Sequence, residues 1–187
     1  GGHVGRARRL ATDEAARSRR AEVLRIPVSL RRPDDVFAFA DLLITAAEAD
    51  AVAESARRDE AEEAELRIAM GGDGTGRGTA GAKRAAEAAV NQLRKRQKSR
   101  ATRTQRDSID LALVDLANFY RDVLVYPTGA TLTHPDHEDQ IRSAAERWSP
   151  ESTLRRLEAV LECREALQLN VKPRIAVEAM VTALARG

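Results

Sequence analysis

The sequence predicts an all-α protein: a helical bundle of about five helices, interrupted by a charged, glycine-rich insertion. Three observations carry this reading. Aromatic residues make up 3% of the chain and charged residues 32%, and Ala, Leu, Glu and Arg dominate, which is the composition of long helices. No β-branched or aromatic run suggests a sheet. Apolar residues instead return every three or four positions along several stretches, the period of a helix face.

A chain of 187 residues suits one domain, or one domain with an appendage. The net charge of +2 is too small for a global attraction to nucleic acid, so the distribution of charge matters more. The single cysteine, Cys163, has no internal disulfide partner and reads as a small core residue in a reducing cytosol. No apolar run approaches the roughly 20 residues that span a bilayer. No signal peptide is evident, so a cytoplasmic location without membrane contact is expected.

Residues 5–26 read as a helical segment or pair, with Thr12 before Asp13 and Glu14 as a candidate cap. Ile26-Pro27 is expected to end it, because proline disfavours helix at the preceding residue. A domain boundary is placed there, dividing residues 1–28 from 29–187. The next helix is expected near Pro33-Asp34-Asp35, with Val36, Phe37, Ala40, Leu43, Ile44 and Ala47 as its buried stripe. From Arg57 to Glu65 the pattern gives way to acids, a solvated helical extension.

Residues 70–82 read as a glycine-rich linker. They are not a phosphate-binding loop. Gly81 is followed by Ala82, Lys83 and Arg84 instead of Gly-Lys-Ser/Thr, and no hydrophobic strand precedes the glycines. Residues 83–106 form a basic run in which Glu87 is the only acid and no aromatic is available to stack on bases. Arg94, Lys95, Arg96 and Lys98 are candidates for non-specific contact with DNA phosphates. The bland reading is a solvated arm that balances the preceding acids as a helical hairpin. Residues 70–106 together are expected to be a flexible basic insertion.

The helical period returns from Asp107, with Ile109, Leu113, Leu116, Ala117, Tyr120, Val123 and Leu124 on one face. Tyr126-Pro127-Thr128-Gly129 should end this helix and turn the chain. The stretch 133–139 holds two histidines and three acids, yet no cysteine or further histidine completes a metal set. Asp136 is expected to cap the following helix. Ser149-Pro150-Glu151 has the cap, first-turn proline and first-turn acid of another helix start. Leu154, Leu157 and Leu161 then recur on one face, with Val160 beside them. Asn170 suits a left-handed turn, and a last helix should begin near Pro173 with Ile175, Val177, Ala179, Met180, Val181 and Leu184 as its apolar surface. Leu157, Leu161, Ile175 and Met180 are expected to face the core.

The segment LRRLEAVLECREALQLNVKPRIAVEAMVTAL resembles the C-terminal end of bacterial clamp-loader subunits, through Asn170, Val171, Lys172, Pro173, Arg174, Ala176 and Glu178. Gly2-His3-Val4-Gly5-Arg6-Ala7-Arg8-Arg9-Leu10 resembles a segment in the lid of the delta-prime subunits of DNA polymerase III, and the Ala- and Arg-rich composition is similar to the actinobacterial type. The resemblance implies that residues 1–28 end an AAA+ lid and that residues 29–187 form a collar domain. In that family the collars of delta, gamma/tau and delta-prime pack side by side in a ring, and the assembly uses ATP to place the sliding clamp on primed DNA. Aligning on Gly2 and Ala7 puts Gly5 where an active ATPase has its sensor arginine, with Arg6 one residue later. That fits a delta-prime subunit, which does not hydrolyse ATP.

The resemblance further implies assembly without chemistry: no catalytic residue, no cofactor and no metal in these residues. The expected partners are gamma/tau and delta subunits, with Arg155, Glu162 and Arg174 as candidate partner-facing residues. The alternative is a stand-alone basic helical protein that binds nucleic acid through residues 83–106.

Overall fold

The computed structural model describes residues 4–30, 32, 35–70 and 79–187. It is all-α. Seven α-helices occur among these residues, and no strand does. They are α1 (Val4–Thr12), α2 (Glu14–Ser29), α3 (Asp35–Ala69), α4 (Thr79–Val125), α5 (Glu138–Arg147), α6 (Pro150–Gln168) and α7 (Pro173–Arg186). Two 3-10 turns, Tyr126–Thr128 and Pro135–His137, lie between α4 and α5. No helix is long and apolar enough to cross a membrane among the described residues. The chain divides into two compact units, Gly1–Ala46 with Ser108–Gly187, and Ala47–Asp107. The sequence-based boundary at residue 28 falls inside the first.

In the first unit, α4 is the central element. Ile109, Leu113, Leu116, Phe119 and Tyr120 are fully or almost fully buried, at the three- and four-residue spacing read from the sequence. Val36, Ala40, Leu43 and Ile44 of α3 are buried with them in the same unit. The turn after α4 closes as expected: Gly129 has φ 70°, a conformation that costs glycine nothing, and its N–H donates to Tyr126 O at 3.1 Å. Ser149 caps α6, its hydroxyl accepting from Ser152 N–H at 3.2 Å. Asn170, at φ 64°, makes the left-handed turn between α6 and α7. Trp148 sits at the α5–α6 corner, with Tyr120 6.0 Å away and the Arg156 guanidinium 4.6 Å from its ring centre.

The second unit pairs the later part of α3 with the earlier part of α4, antiparallel. Arg94 grips Glu63 through two hydrogen bonds of 2.9 and 2.8 Å, and Gln105 reaches Glu48 at 3.0 Å. The buried seam is made of small or polar residues: Ala51, Ser55, Ala86, Val90 and Gln97. Residues 79–106 are thus helical, while residues 71–78, most of the expected glycine-rich linker, lie outside the described residues.

Several expectations are corrected. Leu161 is 45% exposed, Ile175 57% and Leu154 46%, and Leu157 is only half-buried; of the four residues assigned to the core, Met180 alone is buried. The inward stripe of α6 runs through Thr153, Val160, Cys163 and Leu167, about 100° around the helix from Leu154 and Leu161. Ala179 is exposed, and the buried face of α7 is Ala176, Val177, Met180, Val181 and Leu184. Phe37 is 66% exposed.

Pro27 does not end α2. The helix runs on to Ser29, with Ile26 and Pro27 both buried, so packing holds the last turn through the residue that lacks an N–H. The cap before α2 is Asp13, which accepts from Ala16 N–H at 3.1 Å, whereas the Thr12 hydroxyl donates back to Arg8 O. Asp136 is not the cap of α5: it lies within the preceding 3-10 turn, and His137 occupies the cap position without a side-chain bond. The expected start at Pro33-Asp34 falls outside the described residues, and α3 begins at Asp35. Gly2 and the side chains of Gly5, Arg6 and Arg9 also fall outside them.

These placements separate two substitutions that the sequence alone would equate. Met180→Ala should cost about 2–5 kcal/mol through lost burial and the cavity left behind. Leu161→Ala should cost well under about 1 kcal/mol, as surface changes do. Urea unfolding of the two variants checks this, and equal losses would show that Leu161 is core.

Candidate functional site

Three places carry the residues that the sequence singles out: the α6–α7 hairpin, the turn before α5, and the hairpin of the second unit.

On α6 and α7, the candidate partner-facing residues Arg155, Glu162 and Arg174 are all exposed. They are not grouped with one another by any hydrogen bond or ion pair. Arg155 donates to Gly187 O at 2.8 Å, and Arg174 pairs with Asp41 at 2.7 Å and with Glu178 at 3.4 Å. Asp41 and Glu178 keep the Arg174 guanidinium firmly protonated, above its already high ordinary value. The same hairpin exposes Leu154, Leu161, Leu169 and Ile175. Sequence reasoning sent the first two and Ile175 to the core and so missed them as surface residues. The missing signal was the competing stripe Thr153, Val160, Cys163, Leu167, which is less uniformly apolar to the eye yet continuous at helical spacing.

The turn before α5 encloses a buried polar cluster. Asp122 on α4 is fully buried, and both of its oxygens accept from Thr133 N–H, at 3.0 and 2.9 Å. One oxygen also accepts from His134 N–H at 2.9 Å, and Arg121 donates to the other at 2.8 Å. The His134 ring is 1% exposed. Its Nδ1 lies 3.2 Å from Asp122 and its Nε2 3.6 Å from Asp115, two turns earlier on the same face of α4. Arg20 of α2 lies 3.3 Å from Asp115 and 3.7 Å from Asp136. The sequence did hold a signal for this cluster: two aspartates seven residues apart, inside an apolar helical stripe.

Burial pushes the Asp122 carboxyl up. The hydrogen bonds from Thr133 N–H, Arg121, His134 N–H and the His134 ring outweigh it, so its acidity ends below the ordinary carboxylate value. The two histidines read from the sequence are brought close, with ring centres 6.4 Å apart. His134 already spends its nitrogens on carboxylates. Among the described residues no cluster of His, Cys, Asp and Glu is arranged to hold a metal ion. Cys163 is buried, and burial pushes its thiol up to about 12, with Asp110 adding to the shift. A thiol held protonated in this way is a poor nucleophile.

In the second unit, the four candidate DNA-contacting residues separate. Arg94 is committed to Glu63, which raises its already high value, while Lys95, Arg96 and Lys98 are exposed. Arg100 is committed still more strongly, to Glu62 and Asp59, with contacts of 2.7 and 2.5 Å. Hydrogen bonds from Arg100 hold Glu62 below the ordinary carboxylate range.

Two predictions follow from this geometry. Asp122→Asn leaves Arg121 without its charge partner in a buried setting and should cost about 3 kcal/mol at neutral pH. Because the folded-state value of Asp122 lies below its ordinary 3.8, its contribution is full above that pH and is lost as the pH falls through the folded value. Stability curves of the two proteins should therefore run apart at neutral pH and converge in acid. A gap that stays constant below pH 3.8 would contradict the cluster as described. Alkylation of Cys163 by iodoacetamide at pH 8 should be negligible in the folded protein and fast in urea; labelling at the same rate in both would refute its burial.

Comparison with known protein families gives one match. The model described as DNA polymerase III, delta subunit, C terminal, matches residues 90–185, which is more than half of the chain. The match begins within α4 and runs almost to the end of α7. No curated protein and no solved structure matches. The exposed apolar and charged hairpin, the absence of a catalytic or metal cluster among the described residues, and the all-α fold agree with that family's part in the clamp loader. The chain belongs to the family of C-terminal domains of the DNA polymerase III delta subunit, and so to the clamp-loader subunits.

Proposed function

We propose that this chain is the collar part of a delta-prime subunit, packing against gamma/tau and delta collars in the clamp loader that places the sliding clamp on primed DNA. The observation that carries the proposal is the exposed row Leu154 and Leu161 on α6, with half-buried Leu157 between them. Leucines seven residues apart on a solvent-facing side serve no purpose in the core of this unit, and they suit a helix that packs against another protein. Arg155 and Glu162 stand one position beyond each leucine, a polar rim beside an apolar strip. The ring requires different faces toward different neighbours, which heterologous packing supplies. The delta-prime assignment rests on the resemblance of residues 2–10 to that subunit's lid. Residues 1–28 as the end of a lid and 29–187 as the collar follow from the same reading. The chain would contribute assembly and no catalysis, acting in the cytoplasm with the polymerase.

The test is co-purification. The unmodified chain should retain separately expressed gamma/tau and also delta. Leu154→Glu with Leu161→Glu, or charge reversal at Arg155 and Glu162, should abolish retention while leaving the melting temperature within a few degrees. A folded chain that retains no clamp-loader subunit would overturn the collar reading. Retention of gamma/tau without delta would overturn the delta-prime assignment alone, since a delta chain has no need of a second delta.

A further inference from the structure

We propose that the side of α4 turned away from α3 in the second unit, residues 84–102, docks on duplex DNA through its phosphates. The proposal goes beyond the collar reading and does not depend on it.

The hairpin sorts its cations into two sets. Across residues 47–69 there are eight carboxylates and three arginines; across residues 79–107 there are nine cations and two acids. Neutralising the carboxylates of α3 does not need all of those cations, and the geometry shows which are used. Arg94 and Arg100 flank buried Gln97, three residues to either side, and both reach across to Glu63, Glu62 and Asp59. That is the inner side.

The opposite side is the row Arg84, Ala88, Asn91, Lys95, Lys98 and Thr102, at alternating spacings of four and three. Every one of these six is exposed, and none is acidic; Glu87 lies just off the row. Arg84, Lys95 and Lys98 have no ion-pair partner among the described residues, and no aromatic lies on the row. From Arg84 to Lys98 the cations cover about 21 Å of a straight helix at 1.5 Å per residue.

Cations without counter-charges on a rigid rod fit an anion that is itself a rigid array. Duplex DNA offers about one charge per 1.7 Å of axis, and binding releases the counterions that it condenses. A single strand is the poorer fit, because its affinity comes largely from stacking on aromatic side chains, which this surface lacks. Without groups aimed at base edges, the contact should be independent of sequence. DNA is the nucleic acid chosen because the chain belongs to a replication family.

The test is fluorescence anisotropy of the whole chain with a labelled duplex of about 30 base pairs. The affinity should fall in the non-specific range, with Kd about 10⁻⁴ to 10⁻⁶ M. With about three phosphates engaged, the log–log salt slope should be about −2.7, so the affinity drops about 40-fold between 50 and 200 mM salt. The variant Arg84→Gln, Lys95→Gln, Lys98→Gln should bring the slope close to zero and weaken binding to all duplexes alike. A second variant, Arg142→Gln, Arg147→Gln, Arg186→Gln, removes the same charge from exposed positions elsewhere and should bind as the unmodified chain does. Circular dichroism establishes that both remain helical. No binding at 50 mM salt, equal weakening by the two variants, or tighter binding to the single strand would each overturn the proposal. Loss of clamp-loader retention would not, because the substituted residues lie outside the α6–α7 hairpin.

Discussion

The first unit depends on how it neutralises two carboxylates that its central helix carries into the core. Asp115 and Asp122 lie two turns apart on the face of α4 that also buries Leu113, Leu116 and Tyr120. An unpaired carboxylate there would be far too costly to leave buried. The chain meets the requirement with groups from three segments. Arg20 comes from α2, Arg121 from α4 itself, and Thr133 and His134 from the turn before α5. The backbone N–H groups of Thr133 and His134 point at Asp122, so the carboxylate fixes the path of that turn as well as its charge. It is therefore an anchor for the connection between α4 and α5, a stretch with few apolar residues of its own. A neutral imidazole can donate from only one ring nitrogen, while His134 has a carboxylate opposite each. The ring answers both only as the imidazolium, which makes its charge part of the cluster.

Much of the fold was legible because its signals are local. Ser149 with Pro150, Asn170 in the left-handed turn, Gly129 after Tyr126-Pro127 and the period of α4 each follow from the stereochemistry of one or two residues. What was not legible depended on the competition between faces. In α6, two stripes one residue apart both run at helical spacing, and the leucines gave the outward one the greater hydrophobicity. Tertiary packing chose the stripe with Thr153, Val160 and Cys163, small or branched side chains that allow a close approach. Pro27 failed as a stop signal for the same reason: a lost hydrogen bond in a last turn is outweighed when Ile26 and the proline are both buried. Of the candidate site, the exposure of Arg155, Glu162 and Arg174 was read correctly, but its most informative residues, Leu154 and Leu161, were assigned inward.

That inversion is informative in itself. A helix with two apolar stripes can bury one within its own chain and retain the other. Leu154, Leu161 and Ile175 are each about half exposed or more. Single exposed leucines are ordinary on soluble proteins. Two on one helix at seven-residue spacing, within the region matched by a family whose members work only in a complex, are not explained by packing inside this unit. The same sequence feature that misleads a core assignment marks a surface kept for another chain.

The hairpin of the second unit shows the converse division, made with charge instead of apolar area. Its seam of Ala51, Ser55, Ala86 and Val90 is narrow, so little apolar surface is buried along it. Exposed ion pairs such as Arg94–Glu63 add little to stability, because water screens them and two long side chains must be ordered. Their effect is on alignment. Sliding one helix by a turn would set Arg94 and Arg100 away from Glu63, Glu62 and Asp59, and would draw Gln97 away from the Asp59 carbonyl that it reaches at 3.1 Å. Charge thus fixes the register of a pair whose apolar seam is too uniform to fix it. Once that register is fixed, the remaining cations on α4 have no acid within reach, and the positive row on the far side follows from the pairing on the near one.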